Sequence, residues 1–79
     1  EVWAGPLLSG DFAVILFNKS NDAKDITADF ADCGMRKGEV AAVRDIWMHK
    51  DLGTFTGSFT GTAIPSHGVM FLIMTPILN

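Results

Sequence analysis

The chain has 79 residues, of which 48% are hydrophobic, 10% aromatic and 19% charged, and its net charge is −3. This length suits one domain, and the aromatic content excludes a disordered segment, since disordered chains are poor in aromatic residues. No apolar run exceeds six residues, far below the ~20 needed to span a bilayer. The six basic residues are scattered, which excludes the Lys/Arg stripe of a nucleic-acid-binding surface. The sequence therefore predicts a single domain over residues 1–79 with no nucleic-acid or membrane partner.

The first half of the chain predicts three strands. Val2 to Ala4 form a short strand that ends at Gly5-Pro6, and a turn at 9–11 leads into the hydrophobic strand Phe12 to Phe17. A cluster of turn-forming residues at 18–22 closes that strand. Strict alternation follows: apolar Ile26, Ala28 and Phe30 alternate with polar Asp25, Thr27 and Asp29. Such alternation is typical of a strand with one buried and one solvated face.

The second half predicts three or four more strands. Glu39 to Trp47 form the fourth, with Val43 and Trp47 on one face. Residues 54–57 (TFTG) are almost repeated by residues 58–61 (SFTG). If this segment is one strand, its two phenylalanines lie on the same face. Alternatively, Gly57 forms a bulge that bends the strand. Val69 to Thr75 complete the set. Six or seven strands at this spacing favour an all-β sandwich or barrel.

Two of these strands do not alternate. Residues 13–17 and 69–74 are apolar on both faces, whereas a strand with one solvated face should alternate. One face can line the core; the other is either covered by a neighbour or left as a few exposed apolar residues of a central strand. The neighbour would be another domain of the same polypeptide or a second copy of the chain. The predicted interdomain residues are Val14, Leu16, Val69, Phe71 and Ile73.

Little in the sequence predicts catalysis. Five aspartates lie in predicted turns or on the solvent-exposed face of a predicted strand and are interpreted as solvated surface residues: Asp22, Asp25, Asp29, Asp32 and Asp51. Asp45 is expected to point inward, on the same face as Val43. An inward carboxylate needs hydrogen-bond partners, so Asp45 is interpreted as a structural residue that forms a corner of the chain. His49 and His67 lack metal-ligand spacing, and the lone Cys33 allows no internal disulfide and is expected to be a buried thiol. No catalytic residue, metal or cofactor is therefore predicted.

Three side chains are candidates for binding or modification. Trp3 and Trp47 could stack on sugar rings, although core or interface packing is the commoner role of tryptophan. Asn18-Lys19-Ser20 is an N-glycosylation sequon in a predicted hairpin turn, where an acceptor must be exposed.

Several segments, in order along the whole chain, resemble one family. Residues 1–7 and the strand that ends at Asn18 are similar to the opening of the carboxyl-terminal domain of melibiase-type α-galactosidases. The block Val43 to Gly53, VRDIWMHKDLG, resembles that domain's V-R-D-L-W-x-H-K-D-L-G stretch. Residues 55–59 and 65–69 resemble its closing segment.

The resemblance implies an antiparallel two-sheet β-sandwich with Greek-key connections that follows a (β/α)₈ barrel. The family's two catalytic aspartates belong to that barrel, and no position of this chain matches them. The implied function is a non-catalytic domain that packs on and stabilises a barrel hydrolysing terminal α-galactosides, in a secreted, lysosomal or vacuolar protein. A carbohydrate-binding module and a module that self-associates through its apolar sheet face remain alternatives.

Overall fold

The computed structural model describes residues 1–77, which form seven β-strands and no helix. The strands are β1 (Val2–Pro6), β2 (Phe12–Phe17), β3 (Lys24–Asp29), β4 (Val40–Asp45), β5 (Lys50–Thr56), β6 (Ser58–Ile64) and β7 (Val69–Pro76). They build one five-stranded sheet, in the order β1-β2-β7-β4-β5, and one two-stranded sheet of β3 and β6. All pairs are antiparallel. The predicted all-β sandwich is confirmed, and its strand number is seven.

The two non-alternating strands are neighbours at the centre of the large sheet. β2 pairs with β7 from Phe12↔Met74 to Phe17↔Val69 without a register shift. Each also has a second partner, β1 beside β2 and β4 beside β7. Because both strands are internal, all their backbone groups can be paired within the sheet.

Among the described residues there is no helix of the length and apolarity that crossing a membrane requires.

The core lies between the two sheets. Val14, Leu16, Leu72 and Met74 of the large sheet are 0–1% exposed, and they pack with Phe30, which follows β3 and is 0% exposed. Burial of an aliphatic or phenylalanine side chain stabilises a fold by about 1.5–3 kcal/mol. The small sheet thus covers one face of the large sheet.

The structure decides between the two predictions for residues 54–61 and shortens the predicted fourth strand. The chain leaves the large sheet at Gly57, whose φ of +77° breaks the predicted strand over 54–61 into β5 and β6. Phe55 and Phe59 still meet, with ring centroids 4.9 Å apart in an edge-on arrangement. The predicted fourth strand ends at Asp45 rather than Trp47. Trp47 lies in the following turn and is 66% exposed, so it does not share the buried face of Val43.

Candidate docking face

The side of the large sheet that faces away from the small sheet is apolar over three neighbouring strands. Successive strand residues point to opposite sides, so the neighbours of the buried Val14, Leu16, Leu72 and Met74 point outward. The outer face, as we call this surface, comprises Trp3, Ala13, Ile15, Val69, Phe71, Ile73, Ile46 and Trp47. In a strand with one solvated face these positions would be polar.

A row of large apolar side chains crosses the outer face. The register places Trp3 opposite Ile15, and Ile15 opposite Phe71. The Trp47 ring continues the row, with its centroid 5.6 Å from that of Phe71 and the planes tilted by 52°. The tryptophans at the two ends are 60% and 66% exposed, and the residues between them are half-buried by their neighbours alone. The row is therefore an accessible apolar surface of the kind that marks interfaces.

Polar groups border this row toward β5. Arg44 donates a hydrogen bond to Asp51 at 2.8 Å, and the pair lies beside an open groove of about 480 Å³. Asp11, Thr54 and Thr75 also line the groove. The outer face thus combines an apolar centre with a polar margin, as protein interfaces do.

The predicted interdomain residues divide into two groups. Val69, Phe71 and Ile73 lie on the outer face. Val14 and Leu16 are 0% exposed in the core between the sheets, so their assignment to an interdomain surface is wrong. The outward residues of that strand are Ala13 and Ile15, which were not among the predicted interdomain residues. No sequence signal separates the two sets, because both faces of the strand are apolar.

The side chain of Trp3 is held in place on the outer face. Its indole N–H donates a hydrogen bond to the Glu1 carboxylate, which also forms an ion pair with Lys19. The hydrogen bonds from Lys19 and Trp3 lower the pKa of Glu1. The two candidate sugar-stacking residues, Trp3 and Trp47, are therefore both exposed on one face, at opposite ends of the apolar row.

Asn18 is structural, and its prediction as an exposed glycan acceptor is wrong. It is 3% exposed, and its Nδ2 group donates to the carbonyls of Asp22, Ile64 and Pro65 at 2.8, 2.8 and 3.1 Å. Its Oδ1 atom accepts hydrogen bonds from Ser20. A glycan would replace a hydrogen of the same Nδ2 that ties the β2–β3 and β6–β7 loops together.

The other singled-out residues have local structural roles. Asp45 is 8% exposed and its Oδ1 accepts from the amides of Trp47 and Met48 at 3.0 and 3.1 Å, which confirms the predicted corner. His67 lies in the β6–β7 turn with a φ of +57°. Its Nε2 atom is 3.3 Å from Oδ1 of Asn21. Cys33 is buried as expected; burial, with the charges of Asp32 and Asp29, raises the pKa of its thiol.

Within residues 1–77 no group of three or more His, Cys, Asp or Glu side chains could hold a metal ion. His49 lies exposed in the β4–β5 turn. Asp25 and Asp29 accept hydrogen bonds from the amides of Ala63 and Ala31, and Asp22 and Asp32 are exposed. The described carboxylates are exposed, hydrogen-bonded to backbone amides, or paired with Arg44 or Lys19, apart from that of Asp11, which is half-buried and lines the open groove together with Asp51.

The fold and the outer face together define a β-sandwich domain with one apolar sheet face uncovered. Residues 1–74 match the model of the family described as the alpha galactosidase C-terminal beta sandwich domain. The chain belongs to this family.

Relatives and solved structures agree with the match. The chain is 37% identical over 76 residues to an alpha-galactosidase from Cyamopsis tetragonoloba, covering 96% of the chain and 18% of that protein. It is 35% identical over 77 residues to a probable alpha-galactosidase from Dictyostelium discoideum, covering 96% and 20%. The structure superposes on alpha-galactosidase I from Mortierella vinacea with a TM-score of 0.85 at 30% identity, covering 92% of this chain and 20% of that one. The chain thus spans about a fifth of the length of these two curated relatives.

Proposed function

We propose that the chain is a non-catalytic accessory domain of an α-galactosidase-like glycoside hydrolase. Its outer face packs on a (β/α)₈ catalytic barrel in the same polypeptide and stabilises that barrel. The observation that carries the proposal is the row from Trp3 through Ile15 and Phe71 to Trp47, which is apolar, continuous and uncovered. Burying a fully exposed apolar side chain contributes about 1.5–3 kcal/mol, and a half-buried one correspondingly less, so the side chains of the row together can hold two domains in a fixed arrangement.

The share of the relatives that the chain covers supports a partner within the same polypeptide. The matched proteins are named alpha-galactosidases, and the chain accounts for 18% and 20% of two of them. The larger part of such a protein is available to cover the outer face. Domains of one polypeptide associate more readily than separate chains, because the linker holds them at high effective concentration.

The carboxylates of the chain support a non-catalytic role. A glycoside hydrolase that retains configuration needs two carboxyl groups about 5–5.5 Å apart, one of them a general acid in a desolvated pocket. Asp45, the buried acid, already accepts two backbone amides. Asp51 shares an open groove with Asp11, but it is paired with Arg44 and its side chain is 81% exposed. Neither provides the desolvated, unengaged acid that the reaction needs.

The test places a charge on the outer face of the full-length polypeptide. Phe71→Asp and Ile73→Asp should lower by several degrees the temperature at which hydrolysis of a chromogenic α-galactoside is lost, because an aspartate would be buried without a partner. The matched control is Thr62→Asp on the small sheet, where the residue is already exposed, and its effect should be negligible.

Two results would contradict the proposal. Equal thermal inactivation of the outer-face variants and Thr62→Asp would show that no barrel covers the face. Turnover of the same substrate by residues 1–79 alone, above a blank without protein, would show that the domain is itself catalytic.

Exposed Trp47 favours carbohydrate binding as a second candidate function, because the residue is 66% exposed and its ring packs at a tilt against that of Phe71. Aromatic faces stack on the apolar side of sugar rings. Titration of the chain with galactose or melibiose to millimolar concentration distinguishes the two functions. A shift of the Trp47 indole resonance that saturates, and that Trp47→Ala abolishes, would favour the binding module; an unchanged spectrum favours docking.

A further inference from the structure

The two sheets have four free edges in the described part of the chain, and β1 differs from the other three. β5 carries Lys50 and Asp51 and has a register shift against β4 with Gly53 at φ +112°. β3 carries charges and a register shift between Lys24 and Ile26. β6 contains Ala63 at φ +53°. Charges and irregular backbone are the devices that keep edge strands from pairing with other chains.

β1 carries no charge and no register shift, and Pro6 at its end is the one such device that it contains. Its sequence is VWAGP, and it pairs with β2 without a register shift from Val2↔Leu16 to Pro6↔Phe12. The small sheet leaves its inward side uncovered, so Val2, Ala4 and Pro6 are exposed there. A regular, apolar, exposed edge is the kind of strand to which a further strand adds.

The hydrogen bonds of β1 show which backbone groups face the free edge. Glu1 and Phe17 exchange both bonds at 2.8 Å, and the Leu7 amide donates to the Asp11 carbonyl at 2.8 Å. Such pairs alternate along an antiparallel ladder, so residues 3 and 5 also bond to β2. Val2 and Ala4 therefore present both their amides and their carbonyls to the free edge, whereas Pro6, which has no amide, presents only its carbonyl.

We propose that β1 pairs antiparallel with β1 of a second copy, around a two-fold axis at Ala4, to form a continuous ten-stranded sheet. Ala4 then lies opposite the partner's Ala4, and the two exchange both amide hydrogen bonds. Val2 lies opposite the partner's Pro6 and donates to its carbonyl, so the missing amide of proline breaks only the reciprocal bond. The strand is thus complementary to itself in this register.

The side chains agree with this register. It places Trp3 opposite the partner's Gly5, in a pair without mutual hydrogen bonds, where side chains approach most closely. Gly5 borders open space, since no atom lies within 4 Å of the position that a Cβ on this residue would take. This space is part of a recess lined by Trp3, Ala4, Gly5, Ala13 and Ile15. The partner's indole fits over that glycine, an arrangement that stabilises glycine in strands. In this dimer Trp3 packs on the partner, while Phe71, Ile73 and Trp47 stay uncovered and available to a docked barrel.

Cysteine cross-linking in the full-length polypeptide tests the pairing. Residues opposite each other in a mutually bonded pair have Cα atoms about 5.5 Å apart, a separation that a disulfide spans. Ala4→Cys should therefore form a disulfide-linked dimer under mild oxidation, identified by mass spectrometry of the peptide that contains residue 4. Thr56→Cys is the matched control, since it is an exposed residue on the opposite edge. Cross-linking of Ala4→Cys no faster than that of Thr56→Cys would overturn the proposal.

The solution mass gives a second test without cysteine. The wild-type polypeptide should sediment as a dimer at micromolar concentration, and Ala4→Pro, which removes both central amide donors, should sediment as a monomer with an unchanged circular dichroism spectrum. Phe71→Asp should leave the dimer intact. A monomeric wild type, or a dimer that survives Ala4→Pro, would contradict pairing through β1.

Discussion

The two faces of the five-stranded sheet come from the same strands and have similar hydrophobicity, yet only one is covered in the chain. On the inner face, Val14, Leu16 and Leu72 are at most 1% exposed under the small sheet. On the outer face, Ile15 and Phe71 are half-buried by their neighbours alone. The difference shows that apolar residues at consecutive strand positions do not belong to one core. The inner set stabilises the domain itself, and the outer set is available to a neighbour.

The largest expected effect separates the two faces directly. Leu16→Ala should reduce the free energy of unfolding of the chain by about 2–5 kcal/mol, because it leaves a cavity in the core. Ile15→Ala, its neighbour on the outer face, should cost about 1 kcal/mol, since the side chain is only half-buried. Urea denaturation followed by circular dichroism measures both. Equal losses would mean that the faces do not differ.

A smaller effect is expected at Asn18, which closes one end of the inner face. Asn18→Ala removes the donor from three carbonyls and should lower the free energy of unfolding by about 2–3 kcal/mol, because buried acceptors lose their partner. Asn21→Ala, an exposed neighbour, should change it by no more than about 0.5 kcal/mol. The same urea titration tests this pair, and a neutral Asn18→Ala would show that the loops do not depend on the side chain.

Cys33 gives the smallest expected effect and reports on the depth of the inner core. Burial raises the pKa of its thiol, so the folded chain should react with iodoacetamide at pH 8 much more slowly than the chain in urea. The unfolded thiol ionises near pH 8.5. The unfolded state therefore releases its proton first, and stability should decline as the pH rises above that value.

Cys33→Ala is the control for this pH dependence and should lack that part of the decline. Equal alkylation rates in the folded and unfolded chain would contradict the burial of the thiol.

Much of the fold could be predicted from the sequence, since β2, β3 and β7 carry strong hydrophobic patterns and Asp45 has a local role. The sequence does not decide whether Gly57 lies within a strand or bends it, because glycine occurs in strands and at bulges alike. The sequence could not show whether Val14 and Leu16 point into the core or away from it, since both sides of their strand are apolar. The structural role of Asn18 could not be predicted, because two of the carbonyls that it binds, those of Ile64 and Pro65, are distant in sequence.

Hydroxyl-radical footprinting read by mass spectrometry tests most directly whether the outer face is covered by a neighbour. The oxidation rates of Trp47 and Phe71 are compared between residues 1–79 alone and the full-length polypeptide, with Met48, 71% exposed in the β4–β5 turn, as an internal reference. We expect Trp47 and Phe71 to be protected severalfold in the full-length protein. Equal oxidation of these two side chains in both samples would contradict the docking of the sheet on a barrel.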